Sequence, residues 1–395
     1  MRPVFVLIFH ATAPSGAGPL VCALAEARYA LAQRQCAAFL AAGADAAEIV
    51  AGPPDGLTFG VRLVAATRGG RAAAGTAAGN GAAGAAGTAA GNGAAGAHAL
   101  GGLIVLGSGS IPLATAADLR RLVDVAAGAG GHALANNRYS ADVVAISRAS
   151  DLAGLPPLPA DNALPRWLEE HAGVAVTDIR SRWRLGVDID TPLDLILLRD
   201  PAAGALRAMA PLFGERLAAL ADVLSNKRAE LLVAGRVSAT TLTWLQHGVA
   251  CRVRGLIEER GLKAGTRLAQ SGATAGAAAK SRPPRSVLGE LLDRDGPESL
   301  GAAVARLADA AVIDSRVLMA HRFGPSESNW PAAEDRFASD LLLAAAVTDP
   351  WLHALTASAA SAAASASPTP ILLGGHTLVN GGLRLLAQRA RAGAR

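Results

Sequence analysis

Two aspartates two residues apart, Asp188 and Asp190, open the run Val187 to Asp194 (VDIDTPLD). At a strand end this spacing sends both side chains out on the same side. Converging carboxylates can hold a hard divalent cation, Mg2+ or Mn2+ in its place, and that cation holds phosphate oxygens. The rest of the run has a local explanation. Thr191 with Asp194 three residues on fits a capping box, and Pro192 suits the first helical position. Capping does not need Asp188, so a metal or phosphate role for the two aspartates stands level with a purely local one.

Two small-residue loops are the next candidates. Gly107 to Leu113 (GSGSIPL) directly follows a buried apolar run. Ligands of open α/β sheets bind outside the carboxyl ends of the strands, and small residues there let backbone approach a ligand. A plain strand-to-helix turn has the same composition. Ser15 to Pro19 (SGAGP) can cradle a phosphate, but it lacks the GK[ST] and GxGxxG patterns and carries no basic residue between His10 and Pro19. His10, at the end of the first apolar run, is read as solvated or packed ahead of ligand-binding. In the second half, Asp314, Arg316, His321, Asp335, Arg336 and Asp340 can line a polar site. Salt bridges at helical spacing among Asp335, Arg336 and Asp340 are the plainer reading. Ile371 to Leu383 (ILLGGHTLVNGGL) reads as a tight turn before a helix, with anion binding at that helix start as the alternative.

These residues need a scaffold, and the pattern supplies one for the front half. Pro3–Phe9, Glu48–Ala51 and Gly102–Leu106 are short apolar runs of buried-strand type. Leu20–Ala42, Leu57–Thr67 and a segment from Ala116 read as helices between them. His132–Asn137, Asp142–Ser147 and Val174–Ile179 read as further strands, Asp161–His171 as a helix, and the chain before Asp188 as another strand. Repeated strand–loop–helix order implies an α/β, doubly wound, mostly parallel sheet over residues 1–200. Beyond Asp200 helical spacing prevails, at 217–224, 239–244, 249–259, 300–311, 336–346 and 378–390, so residues 201–395 are expected to form a mainly α-helical domain of unassigned role. The unit AAGTAAGNGAAG occurs twice in tandem, at 73–84 and 85–96. It has no side chain large enough to offset its ordering entropy, so residues 72–99 are read as a flexible insertion. Gln270–Ser281 and Thr356–Ser367 read as linkers of the same kind.

Composition narrows the partners. The chain has 395 residues, 37 Lys plus Arg, 32 Asp plus Glu and a formal charge of +5. That balance is mild for the length, and 5 Trp, 2 Tyr and 7 Phe give no aromatic platform, so nucleic acid is not expected as a partner. No run of about 18 strongly apolar residues occurs, so a membrane is not expected either. Lysine occurs only at Lys227, Lys263 and Lys280, so a cation in the first 226 residues must be arginine or a metal. Cys22, Cys36 and Cys251 show no ligand spacing and fit small buried groups in a reducing, cytoplasmic setting.

Taken together, Pro3–Gly18, Ala41–Ala44, EIVAG, GLIVLGSGSIPLAT, DNALPRWL and DIDTPLDL resemble nucleotidyltransferases of the molybdenum-cofactor and phospholactate guanylyltransferase type, which have a nucleotide-diphospho-sugar transferase fold. The resemblance covers residues 1–200. It implies transfer of a nucleotidyl group from an NTP to a phosphorylated or acidic acceptor, with pyrophosphate released. In that reading Asp188 and Asp190 are the catalytic metal ligands, and Gly16, Gly18, Gly109 and Ser110 contact the nucleotide. Asn136, Asn137, Asp161 and Asn162 face the acceptor. Two departures stand out. Ser110 replaces the aspartate such families carry before I/M-P, and the first loop lacks basic residues, which leaves Arg28, Arg138 or Arg184 to meet phosphates. The departures give a second reading, an inactive nucleotide- or sugar-nucleotide-binding protein on the same fold. A scaffolding role for the second half is a third.

Overall fold

The computed structural model describes residues 2–74, 101–259, 284–361 and 369–393. The tandem repeat, apart from its first two residues, and the Gln270–Ser281 stretch lie outside them. The chain divides into two units, Met1–Thr12 with Tyr29–Arg182, and Ala13–Arg28 with Trp183–Arg395.

In the first unit six strands form one sheet: β1 (Val4–Ala11), β2 (Ala46–Gly52), β3 (Gly102–Gly107), β4 (His132–Ala135), β5 (Val143–Ile146) and β6 (Ala175–Asp178). Their order is β2-β1-β3-β5-β4-β6, and only β5 runs against its neighbours. The apolar runs become strands because Val4, Val6, Ile8 and all of Leu103 to Leu106 are buried, as parallel strands covered on both faces require. Leu63, Leu103, Val105, Ile146, Leu164 and Leu168 belong to the core of this unit. Helix α1 (Pro19–Ala41) follows β1, α2 (Phe59–Ala74) follows β2 and α3 (Ala116–Ala126) follows β3. Helix α3 begins on a capping box in which Thr115 and Asp118 satisfy each other's backbone N–H groups. Helix α4 (Leu164–Glu170) precedes β6.

The second unit corrects the expectation of a mainly helical domain. It holds a four-stranded, all-parallel sheet of β7 (Glu230–Gly235), β8 (Arg252–Ile257), β9 (Ala310–Asp314) and β10 (Ile371–Gly374), in the order β10-β9-β7-β8. Every residue of β9 and β10 is buried. A short apolar run buried on both faces has no alternation, and periodicity alone cannot separate it from a helix. The expected helix at 300–311 therefore ends at Ala305 and gives way to β9. The segment 249–259 is edge strand β8, and 336–346 is a helix Ala333–Asp340 followed by a single 3-10 turn. Thr356–Ser361, taken as linker, continues the helix Pro350–Ser361, with Thr356 fully buried on Ser339. Helices α5 (Pro192–Leu198), α6 (Ala203–Met209), α7 (Pro211–Ser225) and α8 (Ala239–Gly248) also belong to this unit.

Buried charge fixes the carboxyl edge of this second sheet. Gly235 ends β7 at φ +117°, and a Cβ there would lie 2.3 Å from the Cβ of Asp314 at the end of β9. Only glycine allows that approach. The guanidinium of Arg236 then donates to both oxygens of Asp314 at 2.6 and 3.1 Å. Burial alone would push Asp314 up, and Arg236 overrides it, holding the carboxyl below the usual range. Next to it Arg316 grips Asp340 with two nitrogens, both residues buried. Asp335, Arg336 and Asp340 thus do not pair with one another. Arg336 reaches Glu327, and Asp335 accepts from the Thr348 hydroxyl and the Asp349 N–H.

Breaking the Arg316–Asp340 pair leaves an unpaired buried charge, a loss of about 3–5 kcal/mol in such sites. Asp340→Ala is expected to lose that much in urea unfolding. The double variant Arg316→Met with Asp340→Leu should recover most of it, because the desolvation cost goes with the charges.

Candidate functional site

In the first unit β1 has β2 on one side and β3 on the other, so the strand order reverses between β1 and β3, which run parallel. The crevice outside the carboxyl ends of such a pair is where open α/β sheets bind ligands. At the end of β1 lies His10, buried, with Nδ1 3.0 Å from the Ser108 hydroxyl after β3. The Tyr29 ring lies 5.2 Å from the imidazole. A hydroxyl on an imidazole nitrogen can exchange a proton with it, and the pair can orient a ligand group.

The Gly107–Leu113 loop is more constrained than a plain turn. Ser110 closes a turn back to the Gly107 carbonyl at 3.0 Å, and its own carbonyl accepts from Gln35 of α1 at 2.6 Å. Ile111 follows at φ +47°, with 1% of its surface exposed. A β-branched residue in the left-handed region is strained, and the proline after it also disfavours a helical conformation. The cost is about 1–3 kcal/mol, and such strain gathers at binding and catalytic sites.

Below this loop a cavity of about 50 Å3 is lined by Phe9, Phe59, Gly107, Asp142 and Asp161. Asp161 also accepts the Asn162 N–H at 2.9 Å. Asn136 bridges the β4–β5 turn, donating to Asp142 at 2.7 Å and accepting from the backbone of Asp142 and Val143. Its amide therefore serves the turn, and Asn137 likewise accepts the Tyr139 N–H at 3.0 Å. The fold brings His10, Gly109, Ser110, Asn136 and Asp161 to one edge of one sheet. Asp142 and Ser108 join them without having been singled out in the sequence. Asp142 carried no signal beyond its place at the start of a strand.

Gly16, Gly18, Asp188 and Asp190 belong to the second unit. The loop before α1 already holds an anion of the chain's own. The Glu334 carboxylate accepts from the N–H groups of Leu20 and Val21 at 3.0 and 3.1 Å, across the start of α1. Gly18 makes room for it, since a Cβ there would stand 2.3 Å from the Glu334 carboxyl carbon. A carboxylate at a helix start satisfies unpaired N–H groups and the helix dipole, the interaction a phosphate would make.

The strand expected before Asp188 is replaced by a 3-10 turn, Trp183–Gly186, so the alternation argument for Asp188 and Asp190 does not apply. Asp188 accepts the N–H of Ile189 at 3.1 Å, and Thr377 donates to its carbonyl at 3.0 Å. Asp190, with 55% of its side chain exposed, pairs with Arg28 at 3.0 Å. A guanidinium thus stands where a cation would neutralise it. Among the described residues no group of three His, Cys, Asp or Glu converges as a metal would need. The donor set as folded does not fit a divalent-cation site. Thr191 and Asp194 form the expected capping box, with Pro192 in the first turn.

Comparison with protein-family models, with curated proteins and with solved structures gave no match. No helix among the described residues is long and apolar enough to cross a membrane.

Asp194 gives the run a pH signature. Burial pushes its carboxyl up to about 7, and the Asp190 charge adds to that, against hydrogen bonds from Thr191 and Asp190. The folded value lies above the unfolded one, so the protonated form stabilises the fold. That contribution is full below about pH 4 and is lost as pH rises through about 7, by up to ~4 kcal/mol. Unfolding free energies measured across this window should fall with rising pH, and Asp194→Asn should flatten the slope. An unchanged slope would remove Asp194 as its source.

Proposed function

We propose that the chain binds a nucleotide or a sugar nucleotide at the carboxyl edge of its first sheet. The observation that carries the reading is the strained Ile111 in the loop at the β1–β3 crevice, next to Gly109 and Ser110. The chain maintains that strain although an ordinary strand-to-helix turn does not need it. The surrounding chemistry supports the same ligand class. Asp142 and Asp161 offer acceptors for ribose, sugar or base donors, and the His10–Ser108 pair adds a donor and an acceptor. Small residues at 107–110 allow ligand and backbone to meet closely.

Transfer of a nucleotidyl group to an acidic acceptor is the second reading. Its ground is the spacing of Asp188 and Asp190 in DIDTPLDL, where Thr191 and Asp194 together supply the capping of α5. It requires Arg28 to leave Asp190, because the ion pair as it stands competes with Mg2+.

A thermal-shift and calorimetric screen of the four NTPs and of sugar nucleotides, with and without Mg2+, tests both readings. A bound ligand raises the unfolding temperature. Binding that is indifferent to Mg2+ and weakened about tenfold or more by Asp161→Ala supports the first, since a lost hydrogen bond to a charged group is worth about 1.5–3 kcal/mol. Mg2+-dependent pyrophosphate release that Asp188→Ala or Asp190→Ala abolishes supports the second. If no nucleotide or sugar nucleotide shifts the transition, the proposal fails.

A further inference from the structure

The second unit has a cleft remote in character from the polar edge of its sheet. It is walled by α5, α7 and the helix Leu383–Gly393, and its volume is about 480 Å3, within the range of about 300–1,000 Å3 typical of small-molecule pockets. Its floor is apolar. Phe213 and Leu386 are buried, and Leu217 is half-buried beside them. Three arginines share the lining: Arg199, Arg207 and Arg389.

The charge arrangement is one-sided. Arg199 sits just past α5 in the left-handed region at φ 56°, and Arg207 lies in the last turn of α6. Arg389 donates to the Leu197 carbonyl, a neutral partner. Among the described residues none of the three forms an ion pair with a carboxylate. Burial pushes the Arg389 guanidinium down, and the charges of Arg199 and Arg207 push it further the same way. Like charges gathered at the mouth of an apolar cleft repel one another, and an anion between them turns that repulsion into attraction.

We propose that this cleft binds an amphiphilic anion, an alkyl or acyl chain with one carboxylate or phosphate head, with its chain on Phe213, Leu217 and Leu386 and its head between Arg199, Arg207 and Arg389. The two halves of the site demand the two halves of the ligand. An inorganic anion leaves the apolar floor bare, and a neutral chain leaves the arginines unneutralised. The inference does not depend on nucleotide binding by the first unit.

The test is isothermal titration of the full chain with dodecanoate, decyl phosphate, decanol and inorganic phosphate, at low and high salt. Dodecanoate and decyl phosphate are expected to bind saturably, one per chain, and more weakly at high salt. Decanol should bind at least about tenfold more weakly, which corresponds to ~1.4 kcal/mol, and inorganic phosphate should show no saturable heat. Arg389→Gln and Arg207→Gln should each weaken dodecanoate by about tenfold or more. Ala218→Phe, at an exposed position on the cleft wall, should block the chain while the unfolding temperature stays near that of the parent. Decanol or phosphate binding as tightly as dodecanoate would overturn the proposal, and so would unimpaired binding to the Ala218→Phe variant. Absence of dodecanoate and decyl phosphate binding would overturn it as well. Co-sedimentation with phosphatidylglycerol vesicles without binding of the free anions would assign the arginines to a membrane surface instead.

Discussion

The ion pair of Arg236 with Asp314 is the constraint around which the second unit is built. It sits at the carboxyl ends of β7 and β9, where the strand order of the sheet reverses. Bringing the two side chains together there requires β7 to end in glycine with a positive φ. Asp314 also caps the helix Ser315–Phe323, and the Asn380 side chain holds the Arg236 carbonyl while accepting the Ser238 N–H. One buried carboxylate thereby orders two strand ends, one helix start and one loop. A charge removed from water at this depth persists only when it is paired and hydrogen-bonded in this way. The same groups fill the position where a ligand would lie in an open α/β sheet.

The first unit treats the equivalent edge differently. His10 and Ser108 are hydrogen-bonded, Asp142 and Asp161 line a small cavity, and the loop after β3 carries a strained isoleucine. Self-pairing of charges favours a closed, stable edge, whereas a cavity beside a strained loop favours an edge that gains from binding. Of the two sheet edges, the one in the first unit carries the cavity and the strained loop.

Local features were legible in the sequence and distant pairings were not. The apolar runs of β1 and β3, the capping box of Thr191 with Asp194 and the helix after Gly107–Leu113 all lie within a few residues of their determinants. β9 was hidden because LGAAVARLADAAVID is alanine-rich and its buried strand lacks alternation. β8 alternates as RVRGLI, but the segment 249–259 that contains it also admits a helical spacing. Arg316 with Asp340, 24 residues apart, and Arg236 with Asp314, 78 apart, are products of the sheet order, which no local pattern encodes. Ile111 gave no sign of its conformation, since a residue before proline is expected to be extended.

The bond from Glu334 to the start of α1 ties an early segment to a late one. The Leu20 N–H is made 314 residues ahead of the carboxylate that receives it. Synthesis delivers segments in order, and contacts this far apart in sequence close last, after nearer ones have formed. The opening turn of α1 therefore waits in water while the ribosome makes the sheet of the first unit and most of the second. Its completion reports that translation has passed residue 334, and a nascent chain stopped before that point carries a helix whose first amides are still open to any anion it meets.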